Sequence, residues 1–224
     1  MWLAMKNDFI VNEIFTSIDG EGKRAGQLAT FIRLAGCNMR CCYCDTLYAV
    51  NRNQGDPMSI EEILEMCPIK RITLTGGEPL YHPNVAELLK VLVSKGFEVN
   101  IETNGSIDIK EAKDIFRGSS SFITMDIKCP ESGMELCNNF NNLQYLDERD
   151  VIKFVVGSLG DLDYMKQIIS TKLQNVRAQI YVSPVFEQIH PVQIVDFIRD
   201  NNLTEVKLQL QMHKIIWDPK KRGV

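Results

Sequence analysis

Short apolar stretches, rich in β-branched and aromatic residues, recur along the chain and are separated by amphipathic segments. Several of the stretches are almost continuously apolar, which is typical of parallel strands covered on both faces. The pattern predicts strands over Ala29–Leu34, Arg71–Thr75, Phe97–Thr103, Phe122–Ile127, Val151–Val156, Gln179–Ser183 and Glu205–Leu210.

The amphipathic segments between these strands carry helix signals. Ser59 and Glu62 have the spacing of a capping box, which predicts a helix that runs to about Met66. Asn84 is a candidate N-cap for the next helix, which would end at Lys95-Gly96. Further helices are predicted over Ile109–Phe116, Leu162–Thr171 and Pro191–Asn201.

Alternation of strands and helices predicts βα units and a parallel sheet. The chain offers too few units for a closed eight-stranded barrel, so we predict a single domain over residues 1–224 with the fold of a partial, open TIM-like barrel with outer helices. An open doubly wound sheet is the alternative, and periodicity does not separate the two. In both folds, functional residues collect at the carboxyl ends of the strands.

Composition and charge narrow the class of protein. Of the 224 residues, 45% are hydrophobic and 24% are charged, and the net charge of −4 gives no case for a nucleic-acid-binding face. No apolar run has the length of a membrane span, and the start, MWLAMKNDFI, lacks the pattern of a signal peptide. We therefore expect a cytoplasmic protein in a reducing compartment, where clustered cysteines are typical of metal binding or catalysis.

Four of the seven cysteines lie within GCNMRCCYCDT, Gly36–Thr46, directly after a predicted strand. A structural zinc site usually has a second pair of cysteines, but the remaining three, Cys67, Cys129 and Cys137, are scattered singly. A ferredoxin-type cluster requires four cysteines in a more regular run. The subset Cys37, Cys41 and Cys44 has the spacing C-x3-C-x2-C, so its thiolates could hold three irons of a cubane and leave the fourth iron open.

This spacing, with the aromatic Tyr43 before the last cysteine, resembles the signature of the radical S-adenosylmethionine (SAM) superfamily. The resemblance implies a 4Fe–4S cluster on Cys37, Cys41 and Cys44, with SAM chelating the open iron and being cleaved to a 5′-deoxyadenosyl radical. Cys42 lies outside this subset and is expected to be a bystander, although spacing alone also allows it to take the place of Cys41.

Later strand ends extend this resemblance. The segments TLTGGEP, ETNG, MDIKCP and YVSPV each follow or end a predicted strand, where one cleft would collect them. Paired glycines in the first segment let backbone approach a ligand closely. The resemblance implies SAM contacts by Tyr43, Cys44, Asp45, Gly77, Glu78, Asp126, Ile127, Lys128, Ser183 and Pro184.

The flanks of the cysteine segment are more specific. EIFTSIDGEGKRAGQLATFIRLAGCN before it, CDT after it and the ending LQLQMHKIIWDPKKRGV resemble the 7-carboxy-7-deazaguanine synthase family. This implies conversion of 6-carboxy-5,6,7,8-tetrahydropterin to 7-carboxy-7-deazaguanine with release of ammonia, in a pathway to queuosine or archaeosine. The implied substrate contacts are Ile18, Asp19, Gly20, Glu21, Arg33, Thr75 and His213, and the implied Mg²⁺ ligand is Thr46.

The chemistry of these side chains agrees with the implied substrate. The fork of Arg33 suits a carboxylate, and Glu21 can accept hydrogen bonds from pterin N–H groups. Asp19 departs from the glutamine that many members of the family carry, and because an ionised carboxylate only accepts hydrogen bonds, a backbone contact is the expectation there.

The family resemblance also implies a flavodoxin- or ferredoxin-type electron donor and a homodimer. Two other functions stay open at this point. One is a glycyl-radical activating enzyme, which acts on a protein partner. The other is a noncatalytic iron–sulfur or zinc protein that carries electrons or binds a partner.

Overall fold

The computed structural model describes residues 9–224, which form nine strands and six α-helices. Residues 1–8, which make up most of the start used to predict the absence of a signal peptide, lie outside the described residues. The strands are β1 (Phe9–Ile18), β2 (Leu28–Leu34), β3 (Asp56–Met58), β4 (Arg71–Gly76), β5 (Glu98–Thr103), β6 (Phe122–Ile127), β7 (Val151–Val156), β8 (Gln179–Pro184) and β9 (Val206–Leu208). The helices are α1 (Ile60–Glu65), α2 (Val85–Ser94), α3 (Lys110–Ile115), α4 (Leu159–Lys172), α5 (Pro191–Asp200) and α6 (Met212–Ile216). In the described part of the chain, no helix combines the length and apolar character that crossing a membrane would require.

The strands form one sheet in the order β3-β1-β2-β4-β5-β6-β7-β8-β9. From β2 to β9, neighbouring strands are parallel, and each new strand adds on the same side of the previous one. A doubly wound sheet would reverse direction at a switch point, and the parallel strands, β2 and β4 to β9, contain no reversal. The predicted open barrel is therefore confirmed, and the doubly wound alternative is wrong.

All seven predicted strands are present, and β6 and β7 have the predicted bounds. The capping box is also present, because Ser59 N donates to Glu62 Oε2 and Glu62 N donates to Ser59 Oγ. Helix α2 follows Asn84 and buries the predicted apolar face, made of Val85, Leu88, Leu89 and Leu92. It ends before Gly96, whose φ of 74° is favourable for glycine.

Strand β1 is absent from the sequence prediction. It pairs antiparallel with both β2 and β3, and its register against β2 shifts between Val11 and Glu13. Such a bulge adds one residue to the strand and breaks the two-residue alternation from which strands are predicted. The three-residue β3 and the five-residue α6 are also additions to the prediction.

The segment after β1, residues 19–27, crosses the amino ends of the barrel strands, and we call it the floor loop. Arg24 reaches the Ile72 carbonyl and the Thr73 hydroxyl of β4 through Nη2. On the other side, Lys23 donates to the Arg149 carbonyl just before β7 and lies 3.7 Å from the ring centroid of Phe122 in β6. The loop therefore closes the end of the barrel opposite the carboxyl ends of its parallel strands.

The segment that follows β9 returns to the floor loop. The Gln209 side-chain amide donates to Gly22 O and accepts from Gly22 N. Three residues later, Met212 N donates to Gly20 O. These bonds join the last strand of the sheet to the loop that follows the first strand.

Candidate active site

A cavity of about 300 Å³ lies above the floor loop, toward the carboxyl ends of the parallel strands. Most of the predicted site residues line it, namely Ile18, Gly20, Glu21, Arg33, Cys37, Cys41, Tyr43, Cys44, Asp45, Thr46, Thr75, Gly77, Asp126, Lys128 and His213. Five predicted residues lie outside its lining, namely Asp19, Glu78, Ile127, Ser183 and Pro184.

The cysteine segment follows β2 and folds back on itself. Gly36 N and Cys37 N donate to the carbonyls of Ala49 and Val50, which brings the residues just after the segment back to its start. Cys37, Cys41 and Cys44 line the cavity, whereas the exposed Cys42 does not. The backbone fold of the segment thus separates the three spaced cysteines from the fourth.

The three thiols are the candidate ligands of a metal cluster. In the described part of the chain, no group of three His, Cys, Asp or Glu side chains is placed to hold one metal ion. Burial raises the pKa of Cys37 and of Cys41, so metal binding there would release protons. Three cysteines that line one cavity can supply the three protein ligands of a cluster that leaves one iron open.

The two glycines at the end of β4 bring that strand against the cysteine segment. Gly77 N donates to Leu34 O, and Glu78 N donates to Gly36 O. A Cβ atom at Gly77 would lie 2.5 Å from Gly36 O and 2.7 Å from Cys37 Cβ. Glycine is therefore needed here for a close approach within the protein itself.

We expect Gly77→Ala to move the end of β4 away from Cys37, because the added methyl group would overlap the Gly36 carbonyl and the Cys37 Cβ atom. The expected result is a lower iron content after reconstitution and a loss of about 1–3 kcal/mol in the free energy of unfolding, measured by urea denaturation. Gly160→Ala is the matched control, since its added Cβ would meet only Ser158 Oγ at 3.5 Å. Equal iron content in the two variants would contradict this account of the glycine.

Glu78 lies behind the cavity wall and joins two strand ends. Only 1% of the residue is exposed, and its carboxylate accepts hydrogen bonds from Leu80 N, Thr103 Oγ1 and Asn104 N. Burial raises the pKa of Glu78 to about 7, although the three donors act against that rise. Asn104, which Glu78 holds, in turn donates to the Asn38 side chain within the cysteine segment.

Charged side chains from four elements meet at the base of the cavity. Lys128 Nζ lies 2.6 Å from Asp126 Oδ2, and Lys153 Nζ lies 3.5 Å from Asp126 Oδ1 and 3.4 Å from Glu21 Oε2. Ser183 Oγ donates to the other oxygen of Glu21. Ser183 therefore reaches the cavity only through Glu21.

Glu102, at the end of β5, belongs to the same group of charges. It lines the cavity, and burial raises its pKa while the Lys153 ammonium acts to lower it.

Arg33, at the end of β2, lies on the opposite side of the cavity from the Lys153 group in the strand order. Its Nε donates to Glu13 Oε1 at 2.7 Å, and within residues 9–224 its two Nη atoms have no hydrogen-bond partner. Arg222, from the end of the chain, lies over the Tyr48 ring and 3.7 Å from Glu13 Oε2. This side of the cavity therefore carries two guanidinium groups around one carboxylate.

Asp19 is turned into the floor loop and away from the cavity. Its Oδ2 lies 2.8 Å from Arg24 Nε, and its Oδ1 accepts from Thr73 Oγ1 at 2.6 Å. Burial raises the pKa of Asp19, although Arg24 and Thr73 act to lower it. The carboxylate thus fixes the loop that carries Gly20 and Glu21.

Gly20, His213 and Asp45 meet at the C-terminal segment. A Cβ atom at Gly20 would lie 2.8 Å from His213 Nδ1, so glycine leaves room for that ring. Burial lowers the pKa of His213, although Glu21 and Asp45 act to raise it. Asp45 pairs with Lys214 at 3.2 Å, and Thr46 Oγ1 lies 3.6 Å from Cys44 Sγ.

The sequence placed the ETNG segment in the cleft without giving Glu102 a role, and the cavity residues that it did not indicate include Lys153 and the tail residues 219–224. Lys153 had a usable signal, because it is the one charged residue in the apolar run VIKFVV, and a buried lysine is rare unless it is paired. Arg222 had none, since its position depends on how the tail returns over β1.

Comparisons with known proteins show which proteins this chain resembles. The model of the radical SAM superfamily matches residues 31–133. The 7-carboxy-7-deazaguanine synthase of Clostridium acetobutylicum is 46% identical over 222 residues, which cover 97% of this chain and 100% of that protein. The protein of the same name from Methanospirillum hungatei is 38% identical, over 96% of this chain and 88% of that protein.

Solved structures show the same fold. The crystal structure of QueE from Escherichia coli has a TM-score of 0.70 and covers 92% of this chain and 95% of that chain at 24% identity. The crystal structure of Streptococcus suis SuiB bound to S-adenosylmethionine has a TM-score of 0.55 at 15% identity, over 78% of this chain and 47% of that chain. These likenesses bear on the fold alone.

Proposed function

Because the chain belongs to the 7-carboxy-7-deazaguanine synthase family of radical SAM enzymes, we propose that it converts 6-carboxy-5,6,7,8-tetrahydropterin to 7-carboxy-7-deazaguanine and ammonia. Membership of the radical SAM superfamily implies a 4Fe–4S cluster and SAM as cofactors. The observation that carries the proposal is that one cavity joins three thiols to a set of side chains suited to a carboxylated pterin.

Cys37, Cys41 and Cys44 are the residues that would hold the cluster. When bound, the cluster and SAM would supply the radical chemistry that activates the pterin. The protein positions the two ligands and keeps water away from them. The whole chain would act as a single radical SAM domain that serves 7-deazapurine synthesis for queuosine or archaeosine.

The SAM side of the cavity would be formed by Tyr43, Asp45, Gly77, Asp126 and Lys128. Gly77 offers backbone without a Cβ atom, and the Asp126–Lys128 pair offers both an acceptor and a donor. The four predicted SAM residues behind the lining would act through their main chain or their neighbours; these are Glu78, Ile127, Ser183 and Pro184.

The pterin side would be formed by Arg33, Thr75, Glu21 and His213, with backbone from Ile18 and Gly20. The Arg33 Nη atoms can donate bidentate hydrogen bonds to the substrate carboxylate. The Glu21 carboxylate can accept from the donor edge of the pterin. Asp19 would support this side indirectly, through its ion pair with Arg24 in the floor loop.

Magnesium would bind at Thr46 only together with the substrate. The Thr46 hydroxyl supplies one hard oxygen, and the substrate carboxylate and water would supply the others. Its place in the chemistry would be to orient the carboxylate during ring contraction. A flavodoxin or ferredoxin would supply the electron, and the active form would be a homodimer.

Anaerobic reconstitution with iron and sulfide, followed by incubation with dithionite, SAM and the carboxytetrahydropterin, tests the proposal. We expect 7-carboxy-7-deazaguanine and an equal amount of ammonia, with a lower rate when a chelator removes Mg²⁺. Formation of 5′-deoxyadenosine without deazapurine would contradict the substrate and leave a radical SAM enzyme of another kind, such as a glycyl-radical activating enzyme. Absence of SAM cleavage would favour the noncatalytic alternative.

A further inference from the structure

Lys153 is a buried lysine whose ammonium group lines the cavity. It is the third residue of β7, its exposure is 8%, and every other residue of that strand is apolar. Removing an ammonium group from water costs free energy unless counter-charges repay it. The burial of this ammonium group therefore requires counter-charges around it.

Three carboxylates from three different elements surround this ammonium group. Glu21 comes from the floor loop at 3.4 Å, and Asp126 comes from β6 at 3.5 Å. Burial acts to lower the pKa of Lys153, but Asp126, Glu21 and Glu102 together hold it well above its ordinary value. Lys153 therefore stays charged between carboxylates that would otherwise repel one another.

A second buried lysine shows what a purely structural ion pair looks like in this fold. Lys113 lies 2.9 Å from Asp147 Oδ2 and 2.5 Å from Asp150 Oδ2. Asp150 also accepts from Ile123 N, so this group lies at the amino ends of β6 and β7, away from the cavity. Both ammonium groups are shared between two carboxylates, but the Lys153 contacts are longer, at 3.4 and 3.5 Å, and Lys153 lines the cavity.

We propose that Lys153 is a positioning residue that orients Glu21 toward one ligand of the cavity and Asp126 toward the other. The naming of these ligands as the pterin and SAM rests on the proposed function. Because the ammonium group lies between the two carboxylates, its loss would leave both of them with less counter-charge. Both ligands would then bind more weakly. Lys128 would remain beside Asp126, so binding of the pterin should weaken more than binding of SAM.

Equilibrium dialysis without reductant separates binding from turnover. The reconstituted wild type, Lys153→Met and Lys153→Arg are each dialysed against SAM and against the carboxytetrahydropterin. We expect Lys153→Met to raise the Kd for the pterin about thirtyfold, as the loss of one partner of a buried charge pair does, and the Kd for SAM by a smaller factor. Lys153→Arg should restore part of both affinities, because it keeps the positive charge although its planar fork differs in shape from an ammonium group.

Lys113→Met is the matched control, and it should lower the melting temperature while leaving both Kd values near those of the wild type. If Lys153→Met lowers the melting temperature but leaves both Kd values unchanged, or if Lys153→Arg restores neither affinity, the positioning role is overturned. A wild type that binds SAM but not the pterin overturns the proposed function instead. In that case, the effect of Lys153→Met on the Kd for SAM still tests the positioning role of Lys153.

Discussion

Alanine at Cys37, Cys41 or Cys44 is expected to abolish both cluster binding and product formation, whereas Cys42→Ala should keep both near the wild-type level. The three spaced thiols line the cavity, and Cys42 is exposed outside its lining. A cluster held by three protein ligands cannot lose one and keep its open iron available to SAM. Iron and sulfide content, the visible absorption of the cluster and the yield of 5′-deoxyadenosine are the measurements.

Cys137→Ala is a second control for this experiment, because Cys137 is exposed and lies outside the cavity lining. Cys41 and Cys42 are adjacent in sequence, so the comparison between these two variants is the sharpest. If Cys42→Ala lost the cluster and Cys41→Ala kept it, the assignment of ligands would be wrong even though the fold would stand.

Arg24→Met is expected to lower the free energy of unfolding by about 3–5 kcal/mol, the usual effect of removing one partner from a buried ion pair. Asp19, which is 3% exposed, would lose the guanidinium at 2.8 Å and keep only the Thr73 hydroxyl. Urea denaturation measures the loss. The double variant Asp19→Asn/Arg24→Met should recover part of it, because the amide carries no charge to leave unpaired.

The same variant has an expected pH dependence. Burial already raises the pKa of Asp19 in the folded protein, and loss of Arg24 should raise it further. An acid with a higher pKa in the folded state than in the unfolded state binds more protons when folded, so its contribution to stability falls as the pH rises. The deficit of Arg24→Met should therefore shrink as the pH is lowered toward the pKa of Asp19. A deficit that grew at lower pH would contradict the buried-pair account.

The parallel part of the fold could be predicted because its strands are buried on both faces. Continuous runs such as Phe122–Ile127 and Val151–Val156 carry that signal within six residues, and the cysteine spacing carries its own chemistry locally. Strand β1 could not be predicted, since a bulge interrupts its alternation and its edge partner β3 is only three residues long.

Side-chain direction in the site was the harder part to predict. Asp19 belongs to the segment expected to bind substrate, but whether its carboxylate faces the cavity or Arg24 depends on how the floor loop crosses beneath β4. Glu78 likewise follows a glycine pair expected to bind SAM, yet its carboxylate joins the ends of β4 and β5. Local patterns indicate which segment reaches the site, and long-range packing decides which side chain enters it.

The bonds from Gln209 to Gly22 span 187 positions along the chain. Contacts of such high sequence separation form late, because the loop between them must close before they give any stabilisation. During synthesis, the cysteines emerge long before residue 209 does. A nascent chain would therefore contain its cysteines before the barrel is complete. The cavity that would hold the cluster is therefore complete only once Gln209 has joined Gly22.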